Sequence, residues 1–360
     1  VDDADMPDEP TPHTLKCIKC ATVFDSGLSS SGDAIFTMTG TLECPACGEL
    51  NDLAQVKMRS LDYESLVRWL LQGGLIAEQE DTPAAIKPPV AAFIANWNNV
   101  VFLTIFPAAV VFAEKLSQYV CDIAAVRKSG RLGPPFPPET ISEADLRALT
   151  TEFANNGVAL SSMTNIGDAA RGIDYQPQSE VKARYGLSAL FASSLVSTWT
   201  AFETLAGDLW EATVNARPGL AGHVATSIKT EMLQKHGFNV PHQMGTILRE
   251  MKAVSFTVLD EIRNAYKSTF TKHAQKIDAS LANKSLDALS QARNLIVHKA
   301  GKCDAEYISR AKGLPQLPHL ALGEQLMTNG ILARQLIEPV ITCCQELIDS
   351  VGAWLRSHPA

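Results

Sequence analysis

Apolar residues recur every three or four positions over most of the C-terminal half of this chain, the period of helices with one buried face. The clearest stripe is Leu187, Leu190, Phe191, Leu195, Thr198, Phe202, Leu205 and Leu209. It predicts a long helix from about Ser179 to Ala216, ended by Pro218 and Gly219. Ser142 followed by Asp145 reads as an N-cap that opens a helix toward Asn155. Val224 to Lys235 reads as a short helix, and Met244 to Phe270 as one long helix on Ile247, Met251, Val254, Val258, Ile262 and Tyr266. Ser280 is the expected cap of the next helix, whose stripe is Leu281, Leu286, Leu289 and Ile296. A short helix over Asp304 to Lys312, an extended Leu320-Ala321-Leu322 and a final helix from about Thr328 to Leu355, with an interruption at Pro339, complete this half.

Upstream, Asp62 to Leu71 has helical spacing with a stop at Gly73-Gly74, and Thr82 to Pro89 reads as loop. Ala91 to Ser129 reads as helix with a kink or break at Pro107. Its Val100–Ala113 run is too short to span a bilayer, so a buried helix is expected and no membrane association. The stretch from Gly130 to Pro138 is the best linker in the chain. Near the N-terminus, Ala34 to Thr39 and Gly40 to Glu43 read as short strands. The expected organisation is an acidic tail (1–13), a small β module (14–56), a helical middle region (57–129), a Pro/Gly linker (130–140) and a helical domain (141–360). The fold class is mainly α with a β module at one end. No βαβ alternation, glycine-rich phosphate loop or internal repeat is evident.

Composition narrows the functions. With 46% hydrophobic and 19% charged residues the chain is globular. The net charge of -8 argues against a strongly basic nucleic-acid face. It is concentrated, however, in residues 1–60, where ten acidic groups face four basic ones, so the helical body is close to neutral. The sequence opens acidic, without the basic and apolar regions of a secretory signal, and the expected location is cytoplasmic.

Four of the eight cysteines fall in two close pairs, Cys17/Cys20 and Cys44/Cys47. Four thiolates on two tight turns suit tetrahedral zinc, with all four positions filled and hence a structural role. The arrangement resembles a zinc ribbon. A ribbon acting as the nucleic-acid-binding centre is disfavoured, because Lys16 and Lys19 stand among many acids.

The remaining chemistry lies in Arg293-Asn294-Leu295-Ile296-Val297-His298, followed by Lys299, Gly301 and Asp304. Arginine holds phosphate oxygens through a planar fork, and histidine moves protons near neutral pH. On a regular helix the two are about 140° apart. They meet only if the helix ends near His298, or if a two-fold axis brings in a second subunit's pair. Spacing alone favours an ion-paired arginine and a histidine stabilised by a helix C-terminus over a catalytic pair.

The longer string Asp287 to Gly301, with Asp304 beyond and Ser197 to Trp210 upstream, resembles the HEPN superfamily over residues 180–355. The resemblance implies a helical bundle that forms a homodimer with a composite cleft. It implies a metal-independent endoribonuclease that leaves 2′,3′-cyclic phosphate and 5′-hydroxyl ends, acting as a toxin or an anti-phage effector. It assigns Arg293 to phosphate binding, His298 to proton transfer and Asn294 to orienting substrate. Glu203 could brace Arg293, Asp304 could cap a helix or hold His298, and Lys299 could touch RNA backbone. An inhibitory or activating protein partner is expected. The alternative is an inactive HEPN-type subunit used for binding or assembly. Trp199 and Trp210 share a helix face and are expected in the core or at the dimer interface.

Overall fold

The computed structural model describes residues 62–129, 166–173, 180–225, 227–238, 242–270 and 274–359, single residues among their neighbours, and the backbone of short strands between residues 14 and 58. The described part is mainly helical. The strands are β1 (Thr14–Lys16), β2 (Val23–Asp25), β3 (Phe36–Thr37), β4 (Thr41–Glu43), β5 (Leu50–Asp52) and β6 (Lys57–Met58). β1 pairs with β2 and β4 with β5, both antiparallel, and β3 pairs with β6. Cys17, Cys20, Cys44 and Cys47 lie outside the described residues, as do the linker and the helix expected after Ser142.

The helices are α1 (Tyr63–Trp69), α2 (Lys87–Ser129), α3 (Glu180–Ala216), α4 (Thr230–Lys235), α5 (Met244–Glu250), α6 (Leu259–Thr269), α7 (Gln275–Leu281), α8 (Lys284–Lys299), α9 (Ala305–Ala311) and α10 (Gly330–Ser357). The chain divides into two compact units. One comprises Val1–Gly73, Thr104–Ser188 and Asn329–Ile331; the other comprises Gly74–Leu103, Ala189–Thr328 and Leu332–Ala360.

In the first unit α1 buries Tyr63, Leu66 and Val67. Its Glu64 receives hydrogen bonds from Arg68 (2.7 Å) and Arg171 (2.7 and 2.8 Å). Arg171 and then Arg68 hold the carboxyl below its usual range, against the opposing effect of burial. Pro107 does not break α2. A proline removes one ladder donor and crowds the preceding turn. Here the Tyr63 hydroxyl enters that turn, donating to the Thr104 carbonyl (2.8 Å) and accepting from the Ala108 amide (3.3 Å). The helix also starts earlier than expected, because Pro88 and Pro89 sit in its first turn, where an amide hydrogen has no helical partner.

The stretch Ala84–Glu114 is long and apolar enough to cross a membrane, by length and composition, and 33% of its most apolar window is buried. The expectation of a buried helix holds for only one side. Val100, Val101, Ile105 and Ala108 are buried, whereas Phe102, Leu103, Phe106 and Val110 are exposed.

The second unit is built on the buried face of α3, with Phe191, Leu195, Phe202, Leu205, Leu209 and Trp210 in the core. Two polar contacts tie it to α6: the Tyr266 hydroxyl donates to the Ala206 carbonyl (2.8 Å), and the Trp210 indole donates to Thr269 Oγ1 (2.8 Å). Both satisfy donors that burial would otherwise strand. α5 approaches α3 so closely that a Cβ at Gly245 would strike the Glu211 backbone. Arg249 then bridges Asp208 (2.8 Å) and Glu211 (2.6 Å) across the same contact. α10 passes through Pro339 without interruption.

Candidate active site

Residues 244–270 form two helices, not one. Lys252 has a positive φ of 55°. Ser255 and Thr257 both donate to Glu261 (2.5 and 2.9 Å), which secures the start of α6. The apolar stripe runs through this break, so periodicity hides it, while Ser255, Thr257 and Glu261 are the signal that could have shown it.

α7 is an additional short helix, and the cap of α8 is Asn283 rather than Ser280. Asn283 Oδ1 accepts from the Ser285 amide (3.0 Å), while Ser280 bonds back to the Lys276 carbonyl inside α7. Arg263 on α6 grips Asp287 on α8 through both carboxylate oxygens (3.0 and 2.9 Å). The buried face of α8 carries Leu286, Ala288, Leu289, Ala292 and Leu295. The opposite side is left for polar groups.

Arg293 and His298 meet within one chain. Arg293 Nη1 donates to Asn294 Oδ1 (3.0 Å) and lies 3.3 Å from His298 Nε2. Regular helix geometry separates their Cα–Cβ directions, but the long arginine side chain leans around the helix to close the gap. A guanidinium only donates, so Nε2 accepts and the imidazole proton resides on Nδ1 in this arrangement. Arg293 Nε is enclosed and has no partner among the described residues.

The helix ends just past His298. Ala300 and Gly301 have positive φ (50° and 79°), and both amides reach back to the Leu295 carbonyl. The chain then pairs with a downstream strap: Cys303 N–H to Glu324 O (2.8 Å), Leu326 N–H to Gly301 O (2.7 Å), and Gln325 Nε2 to Ala300 O (2.8 Å). This paired segment is the extended piece before α10, in place of Leu320–Leu322, where the chain turns instead at Leu322–Gly323.

A cleft of about 380 Å³ opens beside the motif, lined by Trp199, Thr257, Val258, Ser290, Arg293, Asn294, His298, Lys299, Asp304, Glu306 and Tyr307, among others. Thr257, Val258, Glu306 and Tyr307 were not among the expected site residues. The first two reach the cleft through the α5–α6 break. His298 and Lys299 are exposed, and Arg293 and Asn294 are half-buried.

Glu203 does not line the cleft. Burial pushes its carboxyl up, opposed by the Arg293 charge and by a hydrogen bond with Trp199. Asp304 caps α9, accepting from the Tyr307 amide (2.9 Å) and facing Lys299 (3.5 Å). That amide, and then Lys299, hold its carboxyl below the usual range. Asp304 therefore holds the next helix and Lys299, not His298. Trp199 is buried and also forms part of the cleft wall; Trp210 is wholly core.

No family model matches this chain, and no curated protein or solved structure matches it either.

Proposed function

We propose that the cleft is the active site of an endoribonuclease of HEPN type. The observation that carries this reading is the contact between Arg293 and His298 on the wall of an open cleft, with Asn294 beside them and an enclosed, unpartnered Arg293 Nε. RNA cleavage needs a base for the 2′-hydroxyl, an acid for the leaving 5′-oxygen and a cation for the phosphate. The 2′-oxygen bonds to phosphorus as the P–O5′ bond breaks. The 2′ proton goes to a base, and O5′ gains a proton. The products are a 2′,3′-cyclic phosphate and a 5′-hydroxyl, and the step as written calls on no metal.

In the free chain the His298 Nε2 lone pair is engaged by Arg293. A phosphate entering the cleft competes for the guanidinium, and Nε2 then becomes available for proton transfer. His298 moves the proton, Arg293 neutralises the phosphate, and Asn294 holds the guanidinium in place. Glu203 acts on Arg293 through space, and Lys299 is available to the RNA backbone. The acting form is a cytoplasmic homodimer with two motifs in a composite cleft, serving as a toxin or anti-phage effector under the control of a partner protein.

Cys17, Cys20, Cys44 and Cys47 would hold a structural zinc. Four thiolates match the tetrahedral preference of that metal.

The alternative is an inactive binding or assembly subunit. The engaged Nε2 favours it, since a resting base with an occupied lone pair does no chemistry until it is displaced. The test is incubation of purified protein with mixed RNA in EDTA, alongside Arg293→Ala and His298→Ala. Cleavage by wild type, lost in both variants with dimerisation retained, supports the enzyme. Binding of RNA without cleavage by wild type supports the alternative.

A further inference from the structure

The resting contact between Arg293 and His298 has a proton requirement. Arg293 Nη1 donates to Asn294 Oδ1 (3.0 Å) and lies 3.3 Å from His298 Nε2. A guanidinium has donors and no acceptor, and so has an imidazolium. The two side chains hold each other only while Nε2 carries no proton.

The surrounding charges leave this pair to itself. Lys299 on α8 faces Asp304 (3.5 Å), and Glu306 on α9 is paired with Arg310 (2.7 Å). The Tyr307 hydroxyl donates to the Pro318 carbonyl (3.0 Å). α3 and the start of α6 line the cleft with Trp199, Thr257 and Val258, none of which titrates near neutral pH. Glu203 on α3 reaches Arg293 through charge from outside the cleft. The two acids of the cleft wall thus have cations of their own. Arg293 has no carboxylate at ion-pair distance among the described residues, and its charge rests against a neutral ring.

We propose that the cleft binds a phosphodiester and a proton together. An anion drawn to Arg293 pulls Nη1 away from Nε2, and the freed nitrogen then faces phosphate oxygens. Those oxygens only accept, so Nε2 must donate to them. His298 is exposed to solvent and takes up the proton there. Neither ligand is well held alone. A proton without the anion sets an imidazolium against the guanidinium. An anion without the proton sets a nitrogen lone pair against an oxygen. Moving the ring proton from Nδ1 to Nε2 would also supply a donor. That route leaves the ring neutral and forgoes a charge-assisted bond, which is about twice as strong as a neutral one. Linkage is reciprocal, and the occupied cleft holds the extra proton, so anion affinity rises as pH falls through the imidazole range. The occupied cleft then carries a proton that can pass to an oxygen leaving phosphorus. The inference rests on the reading of the cleft as a phosphate site, and not on cleavage itself.

The experiment is titration calorimetry of the full chain with a short oligothymidylate. This probe has no 2′-hydroxyl to react and no base that titrates near neutral pH. Wild type and His298→Asn are compared in buffers of different ionisation enthalpy, which count the protons exchanged. The expected result for wild type is uptake of up to about one proton, with affinity falling by up to about tenfold per pH unit between about pH 6 and pH 8. In His298→Asn the uptake should vanish and the affinity should become flat over that range. Its circular dichroism should match wild type, because position 298 is exposed. Binding without proton exchange, uptake that persists in His298→Asn, or no binding of the probe overturns the proposal. Proton-linked binding by a chain that cleaves no RNA upholds it while refuting the nuclease. Cleavage of RNA by a chain whose binding exchanges no proton does the reverse.

Discussion

Replacing Gly301 by alanine tests how the end of the motif helix is held. Gly301 has φ +79°, and a Cβ there would run into the Gln325 side-chain amide. That amide donates to the Ala300 carbonyl at 2.8 Å. Two costs follow. A left-handed conformation costs a non-glycine residue about 1–2 kcal/mol. Displacing Gln325 removes a hydrogen bond with a net contribution of about 1 kcal/mol. Gly301→Ala should therefore destabilise by about 2–3 kcal/mol, and Gln325→Ala alone by about 1 kcal/mol. The double variant separates the two effects. Once the amide is gone, the new Cβ has room and adds only the backbone cost to that of the lost hydrogen bond. The double should then be no worse than Gly301→Ala alone, with a coupling of about 1 kcal/mol. Urea unfolding followed by far-ultraviolet circular dichroism measures this as a shift in midpoint at constant slope. Strict additivity, or a Gly301→Ala change below about 0.5 kcal/mol, a typical surface effect, would refute the argument.

Two further outcomes follow from single groups. Tyr63→Phe deletes the hydroxyl that joins Thr104 and Ala108 beside Pro107, and should destabilise by about 1–3 kcal/mol, the cost of stranding buried backbone groups; a melting temperature equal to wild type would show that the turn needs no bridge. For Glu203, the folded state favours the neutral carboxyl because burial raises its pKa. That contribution is fully present below the unfolded value and is lost as pH rises through the folded one. Glu203→Gln, neutral throughout, should therefore gain in melting temperature relative to wild type between pH 4 and pH 7, and a pH-independent difference would contradict the assignment.

The long helices were legible because one-sided burial imposes its period on the sequence. α3 lies within a residue of its expected start. The breaks were not legible. The stripe through Met251, Val254 and Val258 continues across the α5–α6 gap, since each residue is apolar for its own local reason. Prolines misled in the other direction. Pro107 and Pro339 suggested interruptions, but both helices keep their course; in α2 the Tyr63 hydroxyl bridges the Thr104 carbonyl and the Ala108 amide in the turn around Pro107. α10 likewise continues through Pro339. Caps depended on atoms rather than on patterns: Ser280 and Asn283 are both acceptable cap residues, and only the Asn283 oxygen has an amide to receive.

The same limit governs the candidate site. The sequence contains Arg293, Asn294 and His298, but their convergence depends on how far a flexible guanidinium travels around a helix. Helical angles treat side chains as spokes, whereas arginine is long enough to defeat that approximation. Glu203, expected as a brace for Arg293, acts on it through charge, while its hydrogen bond goes to Trp199. Thr257 and Val258 could not be foreseen without the break that carries them to the cleft. The motif cleft is polar, half-buried and built from several elements, which suits a small charged group approaching from solvent.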